Sequence, residues 1–502
     1  MTDPEQQPPR ELEIKLVLPE AVTIDLGALP WLNGMETGAP DAGRQVSIYF
    51  DTPGRDLLRN GLALRIRRSG EKRVQTLKSR SDGTAFGRGE WESPINRDAP
   101  ELKRLAGTPA EPVLGLAAAL EPMFESDVRR TRRHLRLVDG SEVELALDEG
   151  VLRAAESSEP IREVELELKR GAPAALYRLA ADLAAALPGA MLSTDSKSER
   201  GWRLLDRAPP APRKAEHLQL PEDIGTAEGI RRILGTALRH LLANLPAARA
   251  GQMGGVHQAR VAVRRLRAAL NLFEPKLGKE NTARLEAELQ RLGQALGAAR
   301  DWDVFCEETL RDAAEDAAAA PWLPQLRELA EAERVAAHRE LEADLAQPAL
   351  TRLILDLAAW IEEPAGLEDG SAPLADFARP LLKRLERKVH RRGKGLRHRP
   401  VEELHALRKS LKKLRYGLEF LGGLFPSRKV HRYLRGCTAL QERLGTINDA
   451  ATAKAMVARL AGAGDLAAAA AAMAHWADLR EEAALRQLGD AWADYKDHAL
   501  PR

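Results

Sequence analysis

The sequence predicts an α+β N-terminal domain followed by an all-α C-terminal domain. Three observations carry that division. Up to about residue 205, short segments alternate apolar and polar side chains with the two-residue period of strands. Beyond residue 222, long segments repeat apolar residues with the 3.6-residue period of helices, in text rich in Ala and Leu. Between them lies Arg207-Ala-Pro-Pro-Ala-Pro-Arg213, which proline makes extended and stiff. The reading is therefore a domain over 9–205, a linker over 206–222 and a helical domain over 223–500. The charge follows the same division: residues 1–210 carry 30 basic and 34 acidic side chains, and the remainder 46 and 40.

In the first domain the alternation marks strands near 11–18, 45–50, 62–67, 72–78, 86–92, 128–138, 142–148 and 161–169. A helix is expected at about 172–187. What alternates with the apolar residues is unusual. Glu11, Glu13 and Lys15 share one face of the first strand, opposite Leu12, Ile14 and Leu16. Arg65 aligns with Arg67, Arg88 with Glu90 and Glu92, Arg130 with Arg132, and Glu144 with Asp148. Glu163, Glu165, Glu167 and Lys169 make a further row. On one strand such a row is an ordinary solvent face. Repeated on six or more strands, with Ser, Thr and Gln scarce, it suits a lumen, and about eight strands suffice to close a barrel. Carboxylates suit Mg²⁺ or Mn²⁺, and arginine and lysine suit phosphate. Together they suit a metal-bound polyanion such as a triphosphate.

Composition removes other classes. The two cysteines, Cys306 and Cys437, have no metal-ligand or redox spacing, so neither a disulfide framework nor a structural zinc site is expected. No apolar run reaches ~18 residues, so no membrane span is expected. The opening residues have neither the basic nor the apolar region of a signal peptide, and a cytoplasmic location is the expectation.

Glu11-Leu-Glu-Ile-Lys15 resembles the ExExK signature of the CYTH, or triphosphate tunnel metalloenzyme, superfamily. The supporting segments follow in order: Tyr49-Phe-Asp-Thr52, Leu64-Arg-Ile-Arg67, Thr76-Leu-Lys78, Arg88-Gly-Glu-Trp-Glu92, Asp148, Glu163-Val-Glu-Leu-Glu167 and Ser196-Lys-Ser-Glu-Arg200. The resemblance implies an eight-stranded antiparallel tunnel barrel with flanking helices that takes a linear triphosphate with Mg²⁺ or Mn²⁺. Lys15, Arg65, Arg67, Lys78, Arg130, Arg132 and Lys197 match the family's phosphate-binding set. Glu11, Glu13, Glu163 and Glu165 match the metal-holding acids, and Lys15, Glu13 and Glu165 are the expected catalytic residues. Asp148, Glu90 and Glu92 are expected to support the site. Ser198 stands where the family often carries an aromatic residue.

The helical domain repeats itself. His257-Gln-Ala-Arg-Val-Ala-Val-Arg-Arg-Leu-Arg267 aligns with His405-Ala-Leu-Arg-Lys-Ser-Leu-Lys-Lys-Leu-Arg415, and Asp301 and Asp449 each follow their histidine by 44 residues. The copies span about 223–360 and 373–500. At about 100° per residue, offsets 0, +3, +7 and +10 fall within an arc of about 80°. His257, Arg260, Arg264 and Arg267 thus form one stripe, and His405, Arg408, Lys412 and Arg415 another, with leucines and valines opposite. Residues 379–415 add to this with 15 basic side chains against three glutamates. Like charges with few acids call for an extended polyanion. Nucleic acid is the less favoured partner, because the interleaved aromatics are few (Trp302, Tyr416 and Tyr433).

This region resembles the CHAD domain, a histidine-containing helical domain. The resemblance implies two pseudo-symmetric bundles that bind inorganic polyphosphate through His257, Arg260, Arg264, Arg265, Arg267, His405, Arg408, Lys409, Lys412, Lys413 and Arg415. Asp301 and Asp449 are expected to orient arginines or cap helices. The two halves together read as an inorganic triphosphatase that docks on long-chain polyphosphate or its granules. The alternatives for the same tunnel are an adenylyl cyclase, a thiamine triphosphatase, or a polyphosphate-binding granule protein without catalysis.

Overall fold

The computed structural model describes residues 10–20, 25–81, 86–114, 119–216, 218–364, 367, 372–396, 399–461 and 466–501. Eight strands occupy the expected places. They are β1 (Arg10–Val17), β2 (Asp41–Asp51), β3 (Leu62–Ser69), β4 (Lys72–Ser81), β5 (Gly87–Ile95), β6 (Glu121–Arg136), β7 (Glu142–Ala154) and β8 (Ser157–Arg170). They pair antiparallel in the order β5-β4-β3-β2-β6-β7-β8-β1, and β5 pairs with β1 to close the barrel. The short β9 (Met191–Ser193) adds to β1 beyond the stretch that β5 covers.

Closure buries both faces of the strands. The outward apolar set packs under helices. Ile14, Leu16, Val164 and Leu166 are fully buried, and α1 (Pro173–Ala186) packs against β1 and β8. Phe50, Leu64, Ile66 and Leu77 join Leu57, Leu105 and Leu114 in a second outer cluster. The inward set is charged along most of its length, and at one end it turns apolar. There Tyr49, Phe124, Val128, Leu152 and Ile161 cluster with Trp202 of α2 (Lys197–Asp206). Phe124 stacks on Tyr49 at 4.8 Å and meets the Trp202 ring edge-on at 5.4 Å. The barrel end beneath α2 is therefore filled by apolar side chains. Gly201 permits this approach, since a Cβ there would lie 2.2 Å from the Phe124 ring.

From residue 223 the described chain is helical, in long runs joined by short turns. The main elements are α3 (Thr226–Leu242), α4 (Met253–Leu277), α5 (Lys279–Val304), α6 (Leu323–Leu345), α7 (Pro348–Glu362), α8 (Leu374–Arg392), α9 (Val401–Leu421), α10 (Ser427–Ala461) and α11 (Ala467–Lys496). The repeat appears in the starts of these helices. α3 and α8, α4 and α9, and α5 and α10 begin 148 residues apart. Val256, Val263, Leu266 and Leu270 of α4 are buried, as are their counterparts Leu404, Leu411, Leu414 and Leu418 of α9.

The chain divides into two compact units that do not follow the sequence boundary strictly. The first is Met1–Arg213 with Leu238–Gly255 and Asp344–Pro364; the second holds the rest. In the first unit α7 packs along α1, and the Thr351 hydroxyl accepts the Leu192 N–H at 3.0 Å.

Candidate functional site

Register explains why the lumen holds charges of both signs. β1 sets Lys15 opposite Glu165. β7 sets Asp148 opposite both Glu163 of β8 and Arg130 of β6. β4 sets Lys78 opposite Glu90. In a barrel, pairs that alternate inward on neighbouring strands meet around one cavity.

Two groups result. The first gathers on Asp148, Glu163 and Glu165. Lys197, brought in by the first turn of α2, donates to Asp148 at 2.7 Å and to Glu165 at 2.8 Å, and also pairs with Glu163. Lys15 lies 3.3 Å from both Glu163 and Glu165. Arg130 grips Asp148 with two hydrogen bonds of 2.6 Å and also reaches Glu165. Arg200, one helical turn past Lys197, donates to Glu163 at 2.9 Å. The second group centres on Lys78. Its ammonium donates to both Glu11 oxygens, at 2.6 and 2.8 Å, and lies 3.1 Å from Glu90 and 3.9 Å from Glu13. Arg88 lies 3.8 Å from Glu13, Arg65 lies 3.8 Å from Glu90, and Arg67 donates to Glu92 at 2.8 Å. Arg132 stands apart, paired with Asp41 at 3.0 Å and 3.8 Å from Glu144.

The electrostatics follow from burial and neighbours. Burial opposes the charge on Glu165, but Lys197, Arg130 and Lys15 outweigh it and hold the carboxyl well below its usual range. Burial and Glu165 press Glu13 upward, yet Arg88, Lys78 and Lys15 prevail and bring it down to about 2. For Glu11, burial and the Glu13 charge outweigh Lys78, and its pKa is pushed up to about 7. Arg130 and Lys197 are buried but keep their charge, because the surrounding carboxylates raise both well above their ordinary values.

The acids fit a divalent cation in part of the expected set. Asp148, Glu163 and Glu165 each offer a carboxylate oxygen, all within 4.8 Å of one another. Glu163 is fully buried, and its Oε1 is held between the Lys15 and Lys197 ammoniums. Such a cluster of hard carboxylate oxygens suits Mg²⁺ or Mn²⁺. Glu11 and Glu13 lie instead in the Lys78 group. Sequence reasoning placed Asp148 only in support and left out Arg88 and Arg200. Arg88 shares its inward face with Glu90, and Arg200 follows Lys197 by three residues, so both signals stood in the text.

The second unit holds the two stripes, and they face one another. Arg260 and Arg264 of α4 act electrostatically on both Arg408 and Lys412 of α9. Burial, then Arg408, Arg264 and Arg260, drives the Lys412 pKa down to about 7. Burial and arginine neighbours likewise lower His257, and burial and Lys409 lower His405, which favours neutral imidazoles. Asp301 accepts from Arg260 at 3.1 Å, the orienting role expected of it. Arg265 pairs with Glu419 at 3.2 Å, Arg267 with Gln290 at 3.3 Å, Arg415 with Glu419 at 3.2 Å, and Lys413 with Asn271 at 2.6 Å. Lys409 is exposed. The Nε atoms of Arg264, Arg265, Arg267 and Arg408 are buried without a hydrogen-bond partner. Trp302, Tyr416 and Tyr433 are buried, so they offer no stacking platform for bases.

Comparison with known proteins agrees with both halves. The CYTH domain family matches residues 9–202, and the CHAD domain family matches 232–458. An inorganic triphosphatase of Haemophilus influenzae is 31% identical over 163 residues, which make up 31% of this chain and 44% of that protein. The chain thus matches less than half the length of that relative. An uncharacterized protein of Mycobacterium tuberculosis is 28% identical over 403 residues, 74% of either chain. The crystal structure of the CHAD domain from the plant Ricinus communis is 32% identical, with a TM-score of 0.51, covering 58% of this chain and 99% of that one. The fold and the lumen define a closed antiparallel barrel with a charged interior, joined to a basic helical repeat. The chain belongs to the proteins that fuse a CYTH domain to a CHAD domain. No described helix is long and apolar enough to cross a membrane.

Proposed function

We propose that the barrel hydrolyses inorganic triphosphate to pyrophosphate and phosphate with Mg²⁺ or Mn²⁺, while the helical domain binds long-chain polyphosphate. The observation that carries the reading is the buried lumen, where Lys15, Arg65, Lys78, Arg130 and Lys197 stand among carboxylates. Those charges nearly cancel. A triphosphate adds several negative charges, so its binding to such a lumen is most favourable together with a divalent cation. Bound by Asp148, Glu163 and Glu165, that cation supplies charge neutralisation and Lewis acidity toward phosphate oxygens.

The chain's own residues supply the rest. Arg65, Arg67, Lys78 and Arg130 hold the phosphates by charge-assisted hydrogen bonds. Lys15 and Lys197 neutralise the charge that develops on the transferred phosphoryl group. Glu13 and Glu165, held ionised, accept hydrogen bonds from the attacking water and orient it. Water adds to a terminal phosphorus as the bridging P–O bond breaks, and pyrophosphate departs with the bridging oxygen. In the helical domain the facing stripes, with their unpaired guanidinium nitrogens, suit a linear chain of phosphates, which fits residence on polyphosphate granules.

The test is a substrate panel of inorganic triphosphate, ATP and thiamine triphosphate with Mg²⁺, Mn²⁺ or EDTA. Phosphate, pyrophosphate and cyclic AMP are quantified. Triphosphate should be cleaved fastest. Dominant cyclic AMP formation supports a cyclase instead, and faster thiamine triphosphate cleavage supports the organic triphosphatase. No turnover, with polyphosphate still retained against competing RNA or DNA at matched phosphate, leaves a binding protein.

A further inference from the structure

Helix α8 carries cations that the stripes do not use. Arg384, Arg387, Lys388 and Arg391 stand at offsets 0, +3, +4 and +7 and so share one helix face. They line a cavity of about 550 Å³ together with Lys413 of α9, Asn271 and Leu272 of α4, and Leu381 and Leu385 of α8. No carboxylate lines it. Among the described residues none of the five cations forms an ion pair. Lys413 donates to the Asn271 amide oxygen at 2.6 Å, and Arg387 donates to its own helix at the Lys383 carbonyl. Elsewhere in the protein the arginines are mostly paired with acids, so five unpaired cations around one cavity stand out.

The α8 cations lie off the facing stripes, although Asn271 follows Arg267 by one helical turn on the α4 stripe. Lys412 and Lys413 are neighbours in sequence but point about 100° apart on a helix. The charges pressing on Lys412 are Arg408, Arg264, Arg260 and Arg415. Those pressing on Lys388, after burial, are Arg392, Lys413, Arg391 and Arg384. Arg408, Arg264 and Arg260 are not among the strongest charges acting on Lys388.

We infer that this cavity is a second anion site, built for a small phosphate ester of nucleoside triphosphate size rather than for a linear inorganic chain. Its volume lies within the range of small-molecule sites, about 300–1,000 Å³. Five cations are enough to neutralise the triphosphate group of an ester. Leu272, Leu381 and Leu385, with the aliphatic stems of the arginines, give the cavity an apolar floor that suits the organic body of an ester. The inference is independent of what the barrel hydrolyses.

The test is calorimetric titration of the full chain in EDTA with ATP, with inorganic triphosphate and with long-chain polyphosphate. Two variants are compared with wild type: Arg384→Ala/Arg387→Ala/Arg391→Ala on α8, and Arg264→Ala/Lys412→Ala on the stripes. The three α8 arginines are exposed, so the first variant should fold normally, as circular dichroism can verify. A Lys15→Ala chain reports any ATP held in the barrel. The α8 variant should weaken ATP binding at least tenfold, and the stripe and Lys15 variants less than twofold. ATP should bind wild type at least tenfold more tightly than inorganic triphosphate at the α8-dependent site. Absent ATP binding, or ATP affinity unchanged in the α8 variant, overturns the site. Equal loss of ATP and polyphosphate in both variants makes the cavity part of one polyphosphate groove. Equal affinity for ATP and inorganic triphosphate removes the ester.

Discussion

Glu11 accepts two short hydrogen bonds from Lys78, yet its pKa is pushed up to about 7 because burial and the Glu13 charge outweigh that ammonium. The consequence for stability has a definite sign. Between the ordinary value of 4.5 and about 7, the folded barrel holds a proton on Glu11 that the unfolded chain has released. Stability from this group therefore falls as pH rises through that window. Glu11→Gln should flatten the dependence between pH 5 and 8 and leave the barrel more stable than wild type at pH 8. Denaturant titrations at several pH values check this, and an unaltered slope contradicts it. Depressed carboxyls such as Glu165 and Asp148 act oppositely: they stabilise above the usual carboxylate range and lose that contribution in acid. At this scale the sequence was informative about residue type and less so about partnership. The period-two rows pointed Lys15, Arg65, Arg130, Glu163 and Glu165 toward one lumen, and the family resemblance added Lys78. They could not say which acid meets which base, because that depends on inter-strand register. So Asp148 proved a full member of the carboxylate cluster, whereas Glu11 and Glu13 went to Lys78.

Among elements, α2 does the most with the fewest residues. A capping box fixes its start, with the Ser196 side chain accepting the Glu199 N–H and Glu199 reaching back to Ser196. The first turn then delivers Lys197 and Arg200 to the carboxylates, while Trp202 seals the apolar end of the barrel. Its seat depends on Gly201, where a Cβ would overlap the Phe124 ring. Gly201→Ala should displace α2 and reduce triphosphate turnover at least tenfold, although no charged side chain changes. A fully active Gly201→Ala protein contradicts this role. The eight strands were readable in the sequence because alternation persists over several residues, and α1 because its Ala- and Leu-rich run spans several helical turns. β9 was not, since three residues carry no period. In the repeat, spacing alone revealed α4 and α9 and their buried faces; their convergence depends on tertiary packing. That convergence leads to another expectation. Lys412, brought down to about 7 by burial and by Arg408, Arg264 and Arg260, gains charge as pH falls through that value. Polyphosphate affinity should rise as pH falls from 8 to 6, and Lys412→Arg should blunt the rise. Binding isotherms across that range decide it; identical pH profiles for both proteins rule out Lys412 as the cause.

For the whole molecule, the first compact unit's main segment ends at Arg213, within the linker read from the sequence, but that unit also takes in two segments from beyond it. Segments Leu238–Gly255 and Asp344–Pro364 belong with the barrel, and α7 lies along α1, whose side chains are buried almost all round. Local periodicity cannot reveal that a helix within one sequence region packs in another unit. A chain ended at residue 214 should therefore expose the α1 surface that α7 covers. It should unfold at a temperature at least several degrees below that of the barrel in the intact protein, as calorimetry or hydrogen exchange on α1 can show. Equal stability indicates that α7 is dispensable. For the same reason, coupling between polyphosphate binding and turnover is better probed with stripe variants than by truncation. The central claim is metal-dependent cleavage of triphosphate in the lumen. The most direct measurement is phosphate release from inorganic triphosphate by the intact protein, with Mg²⁺ and with EDTA, beside Glu163→Gln. Release that needs the metal and falls at least a hundredfold in Glu163→Gln is the predicted result; release indifferent to EDTA, or undiminished in the variant, contradicts it.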